Sequence, residues 1–266
     1  MISKCIIVPL YKELINEYEK ISLLQCFNIF NKQKIIFITF KSLNLKNYEA
    51  IINKRPFEIT YFEKEYFTSI KNYNILMTSK LFYERFSSYT YALIYQLDAY
   101  VFTDQLDSWC NKNIDYIGAP WFEGYKKATL NSKLIGVGNG GFSLRNIQQT
   151  LNLISKNISF VSLFKIILKR NQKVSVKLLQ LPKIIFYWIL KKNITVIFNC
   201  NEDEYFGVFS KIIYPKYCVA DVNTAISFSF EMCPEKLYDL NNMKLPFGCH
   251  AWELNLNFWR NKIKGL

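Results

Sequence analysis

Acidic residues are missing from a long part of this 266-residue chain: between Glu123 and Glu202 there is no Asp or Glu, yet thirteen Lys or Arg lie there. The formal net charge of +13 therefore belongs to that one segment, and the remainder is balanced. This excludes a general affinity for polyanions and calls for a local cause. Histidine is nearly absent as well, His250 standing alone. The seven cysteines (5, 26, 110, 200, 218, 233 and 249) are scattered without a CxxC pair, which argues against a zinc site of Cys/His type. Thiols in an odd, unpatterned set read as reduced and mostly buried, in a cytoplasmic protein. No run approaches the roughly 18 apolar residues of a membrane span. The opening MISKCIIVPL has one Lys and a short apolar run before Pro9, without the long apolar core and cleavage site of a secretory signal. Internal repeats and low-complexity linkers are lacking.

Half of the residues are apolar and 17% are aromatic, so the chain is globular and can bury a large core, and its length suits one large domain as well as two. Cys5–Leu10 reads as a strand, Asn16–Phe30 as a helix and Lys34–Phe40 as a second strand, the size of a βαβ unit. Phe57–Phe62 is a third strand, and Asn74–Phe86 a helix. It feeds the apolar run YALIYQLDAYVF (91–102), which ends by setting Asp98 in apolar surroundings. Strands alternating with helices predict an α/β fold with a mostly parallel sheet. A carboxylate at the end of a buried strand either caps the next turn or serves a ligand there.

Asp115–Trp121 reads as a strand running into Gly-Ala-Pro. LIGVGNGGFSLR (134–145) follows, with Gly136, Gly138, Gly140 and Gly141 in six residues. Such density predicts a backbone at positive φ or in close approach to a ligand, or else an ordinary glycine turn. It is not a P-loop, since no Gly-Lys-Ser/Thr follows. The basic segment, 147–193, reads as helical and broken at Pro182. Asn201–Phe206 (NEDEYF) then brings three acids together, either as a helix start with Asn201 as its cap or as a group that presents a base, and LPFGCHAW (245–252) holds His250, a ligand candidate or a core residue.

Four of these stretches resemble the ordered signatures of GT-A (Rossmann-like) glycosyltransferases: a strand-end DxD, a glycine-rich loop, an xED and a C-terminal histidine. Here they are QLDAY around Asp98, GVGNGGFS at 136–143, NED at 201–203, and His250. The chain also looks like a bacterial glycosyltransferase-like domain of unknown function found among surface-polysaccharide genes, over most of its length. The resemblance implies a single domain, 1–266, and transfer of a sugar from a nucleotide-sugar donor to a hydroxyl of a glycan or lipid-linked acceptor, with inversion. It assigns Asp203 as base and Glu202 as its support or an acceptor contact. Asp98 and His250 become ligands of a divalent cation, Mn²⁺ or Mg²⁺, on the donor diphosphate. Asn139, Gly140 and Gly141 approach the donor sugar, Val8, Pro9 and Leu10 border the nucleotide base, and Trp121 stacks on a sugar face. The DxD is incomplete, because neither Gln96 nor Tyr100 is acidic, and this leaves metal dependence open.

For the basic segment, an anionic membrane surface on the cytoplasmic side competes with a protein or self-association face. Nucleic acid is disfavoured, since no recognised motif accompanies the cations. Two rival readings of the whole remain: a glycan-binding or assembly protein that retains the fold without catalysis, and a nucleotidyltransferase. The latter needs a glycine-rich basic loop after the first strand, where CIIVPLYKE has no glycine.

Overall fold

The computed structural model describes residues 2–170 and 172–266. Its strands are β1 (Lys4–Pro9), β2 (Lys34–Thr39), β3 (Glu58–Tyr61), β4 (Tyr91–Tyr95), β5 (Ala99–Val101), β6 (Tyr116–Ile117), β7 (Pro120–Phe122), β8 (Leu134–Val137), β9 (Phe142–Asn146), β10 (Ser229–Phe230) and β11 (Gly248–His250). A six-stranded sheet runs in the order β3-β2-β1-β4-β9-β6. The first four strands of that order are parallel and β9 is antiparallel to both its neighbours. Helices flank it, so the molecule has a mixed α/β architecture built on a mostly parallel sheet. All of β4 is buried, which is why it reads as a continuous apolar run and not as an alternation.

The helix Glu17–Ile29 joins β1 to β2 and starts in a capping box: Asn16 accepts from the Glu19 amide and Glu19 accepts from the Asn16 amide. Between β3 and β4 the expected single helix is two, Ile70–Met77 and Lys80–Arg85. Ser79 separates them because its hydroxyl accepts from the Phe82 amide and so caps the second. The strand expected over 115–121 is likewise two. β6 belongs to the main sheet, while β7 leaves it after Gly118 to form a hairpin with β8.

The basic segment is helical over Ile147–Ile154, Phe160–Lys169 and Val174–Ile189. Its last helix runs through Pro182, correcting the expected break there. Leu178, whose carbonyl loses its helical partner to the proline, is exposed. Among the described residues no helix is long and apolar enough to cross a membrane. Five of the cysteines are buried, Cys200 is half-buried and Cys218 exposed.

Candidate functional site

A small second sheet, in the order β10-β11-β5, carries the polar centre. β5 begins directly after Asp98, and β11 pairs with it so that His250 stands opposite Ala99. β10 lies on the other side of β11 with Phe230 opposite Cys249, which brings Glu231 alongside His250. Register alone thus assembles three side chains from distant parts of the sequence. His250 Nε2 is 3.1 Å from Asp98 Oδ1, and its Nδ1 is 3.3 Å from Glu231 Oε1. Burial disfavours the charged imidazole, yet Asp98 and Glu231 outweigh it and hold His250 well above its ordinary range. Burial likewise pushes Asp98 up, but the charge of His250 and the contact with it leave that carboxyl below its ordinary value.

Among the described residues Nε2, a buried atom, has no hydrogen-bond partner, and its 3.1 Å contact with Asp98 is one of charge. Two adjacent ligands of an octahedral cation stand about 3 Å apart, so this orphaned nitrogen and the Asp98 oxygen fit a shared Mg²⁺ or Mn²⁺. Glu231 on the opposite ring nitrogen is the partner that orients such a histidine. Among the described residues no three His, Cys, Asp or Glu converge on one point. Protein ligands would therefore number two. At the expected second DxD position, Tyr100 is buried and its hydroxyl accepts from the Lys264 amide. Glu253 stands near this centre: burial first, then the charge of Asp98, raises its carboxyl.

The glycine-rich loop links β8 to β9. Its glycines are not at positive φ, which corrects that expectation; Asn139 is, at φ 69°. The Asn139 side-chain oxygen accepts from the amides of Gly141 and Phe142, at 2.9 and 3.3 Å, so the residue closes its own turn and leaves its amide nitrogen unpartnered. What comes close to the glycines is protein. A Cβ at Gly141 would collide with the His250 ring, and one at Gly140 with the Glu202 carboxylate. Both are sockets for side chains of the site.

Glu202 points inward. Both of its oxygens lie 3.0 Å from Arg145 Nη2, a fully buried guanidinium that also donates to Tyr83 Oη and Ser143 Oγ. Phe206 and Tyr116 cover the faces of that guanidinium, at 4.8 and 5.7 Å. The pair ties β9 to the helical turn Glu202–Glu204 and so sets the position of Asp203. Asn201 occupies the cap position without capping; its side chain instead accepts from Asn74. Directly after Asp203 and Glu204 the helix widens to a π turn, Tyr205–Phe209.

Asp203 lines a cavity of about 270 Å³ together with Trp121, Tyr125, Lys126, Glu231 and Met232. Burial, followed by the charges of Glu202 and Glu231, pushes its carboxyl up to about 7. Trp121 is half-buried and meets Tyr125 edge-on at 5.4 Å. Val8, Pro9 and Leu10 are buried at the end of β1, and the ring exposed there is Tyr11. Tyr11 lies near enough to feel the charge of Asp98, although burial is the larger cause of its raised hydroxyl. The structure thus unites Asp98 with His250, and Trp121 with Asp203. Glu231 joins the two groups, and Glu202 is turned away into the core. Glu231, Arg145 and Tyr11 escaped the reading of the sequence. A lone cation inside the apolar GGFSLR strand was the available signal for Arg145; for Glu231 there was none.

The sequence profile of the family described as "Protein of unknown function (DUF5672)" matches residues 56–250, a span that holds Asp98, the glycine loop and NED and ends at His250. The chain belongs to this family. No curated protein matches this DUF5672 member in sequence. Among solved structures, it resembles mouse xyloside xylosyltransferase 1 in its apo form, at 9% identity and a TM-score of 0.53, over 96% of this chain and 98% of that one. A glycosyltransferase involved in glycosylation of the major capsid of PBCV-1 aligns at 14% identity and TM-score 0.43, over 93% of each chain. The mannosyltransferase Ktr4p from S. cerevisiae, in complex with GDP, aligns at 10% identity and 0.34, over 46% of this chain and 41% of that one. The mouse match shows that this DUF5672 chain has the glycosyltransferase fold.

Proposed function

We propose that the protein is a glycosyltransferase that moves a sugar from a nucleotide-sugar donor to a hydroxyl of a glycan or lipid-linked acceptor in surface polysaccharide synthesis, with inversion. One observation carries the reading: Asp203, with its carboxyl raised to about 7, shares a cavity with Trp121 and with Glu231, and Glu231 touches the Asp98–His250 pair. A base near neutrality, an aromatic wall and a diphosphate-facing centre are the parts such a transfer needs.

Asp203 takes the proton of the acceptor hydroxyl as that oxygen bonds to the anomeric carbon from the face opposite the leaving group. The bond from the anomeric carbon to the donor phosphate oxygen breaks, and the nucleotide departs with the electron pair, a nucleoside diphosphate or, from a CMP-sugar, a monophosphate. Asp98 and His250 would hold a Mg²⁺ or Mn²⁺, which would supply positive charge against the donor diphosphate. Glu231 keeps the His250 ring oriented, and Arg145 keeps the Asp203 segment seated through Glu202. Gly140 and Gly141 seat the Glu202 and His250 side chains and Asn139 fixes their turn, while Trp121 offers a stacking face to the acceptor and Tyr11, beside the buried Val8, Pro9 and Leu10, faces the base.

The test is a thermal-shift and turnover screen against UDP-, GDP-, CMP- and dTDP-sugars, each with and without Mn²⁺. One donor raises the midpoint by mass action and is turned over. Asp203→Asn keeps the shift and loses roughly 10²–10⁴-fold in rate, the usual weight of a general base. Folded protein that neither binds nor turns over any donor overturns the proposal. A non-catalytic glycan-binding role is the second reading, favoured by the single DxD carboxylate; glycan binding without donor binding supports it.

A further inference from the structure

We infer that the helix Val174–Ile189 is an interfacial docking face for an anionic lipid bilayer. This inference stands apart from the transferase reading. The helix is apolar on both sides. Ile184 packs into the core, while Leu178, Leu179, Phe186 and Ile189 are 63, 81, 57 and 64% exposed. At 3.6 residues per turn these four fall on one side of the helix, so its solvent face is apolar where a surface helix would carry its charges. The neighbouring helix Phe160–Lys169 adds exposed Phe160, Val161 and Leu168. The two helices are held together by a Phe160–Trp188 ring contact at 5.8 Å and by Lys177 Nζ donating to the Leu168 carbonyl.

Charge selects the occupant. Lys165, Lys169, Lys173, Lys183, Lys191 and Lys192 are exposed around these faces, and among the described residues none is in an ion pair. At the end of the helix a cavity of about 540 Å³ is lined by Lys80, Lys156, Lys191 and Lys192 beside Trp188, and among the described residues no acid lines it. That is a recess suited to a lipid phosphate. A second copy seated on the same face would bring lysines against lysines with no acid between Glu123 and Glu202 to pair them. An anionic bilayer satisfies both features at once: acyl chains take the apolar residues, and head groups take the ammonium groups.

The experiment is co-sedimentation of the whole chain with vesicles of phosphatidylcholine alone and of phosphatidylcholine with about one third phosphatidylglycerol. Binding is expected to the anionic vesicles and to weaken with added salt. Lys191→Gln with Lys192→Gln should lower the partition roughly thirtyfold, since each cation near the surface contributes about a factor of five. Leu179→Glu with Phe186→Glu should abolish binding while the far-UV circular dichroism and melting midpoint stay unchanged, both sites being exposed. Equal partition to neutral and anionic vesicles, or none to either, overturns the inference. So does a concentration-dependent dimer, seen by light scattering, that Leu179→Glu disrupts in protein that ignores vesicles.

Discussion

Asp203 is a carboxylate that folding makes less acidic, and this has consequences of opposite sign for rate and for stability. As the proposed base it acts deprotonated, so kcat should rise as pH climbs through about 7. Glu231→Gln removes one of the negative charges that raise it, and the rise should then move to lower pH; a limb that stays in place removes Glu231 from this role. For stability, the folded pKa lies above the unfolded one, so the native state binds the proton more tightly and stability falls as pH passes from about 4 to about 7. Asp203→Asn should therefore raise the thermal midpoint at pH 8, with a smaller gain at pH 5, while lowering the proposed activity. Arg145 is the converse case, a buried charge that is fully partnered. Arg145→Leu strands Glu202 and should cost about 3–5 kcal/mol in denaturant unfolding, most of it recovered in Arg145→Leu/Glu202→Leu.

At the scale of elements, the helix Val174–Ile189 departs most from its sequence pattern. It keeps Pro182 in its interior, where the ring removes an amide donor and crowds the carbonyl of Leu178. Pro182→Ala should restore that hydrogen bond and raise the melting midpoint by an amount equivalent to about 1–3 kcal/mol. A lowered midpoint would mean that the proline shapes the helix end usefully. The split between Ile70–Met77 and Lys80–Arg85 teaches the same lesson from the other side. Apolar spacing runs on through both, and the serine cap that divides them is a short-range polar event that periodicity does not register.

Across the whole molecule, the site exists because two sheets share one corner. β4 belongs to the main sheet and β5, after the Asp98 turn, to the small one; the backbone N–H of Gln96 between them donates to the Gly141 carbonyl at 2.8 Å. The glycine loop is thereby fixed beside His250. Gly141→Ala should push that ring from Asp98 and abolish the cation-dependent part of any donor-induced thermal shift, with His250→Ala giving the same loss. If Gly141→Ala keeps the full Mn²⁺ effect, the socket assignment fails and the loop's glycines need another cause.

Alternation of strand and helix, the buried course of β4, the concentration of positive charge in one segment and the order of Asp98, the glycine loop, NED and His250 were all legible in the chain by itself. Each is a local property: an apolar run, a charge count or a spacing survives any change in what lies opposite. The glycines of the loop were legible as unusual but not as sockets, because the groups that fill them come from residues 202 and 250. Glu231 could not be read at all, since its value lies in standing next to His250 across β10 and β11. Likewise Glu202 and Asp203 are adjacent in sequence, yet one is bound to Arg145 in the core and the other faces the cavity. Which of two neighbouring acids is paired in the core and which faces a cavity depends on the partners that folding brings within a few ångströms, and that was decided by the tertiary structure.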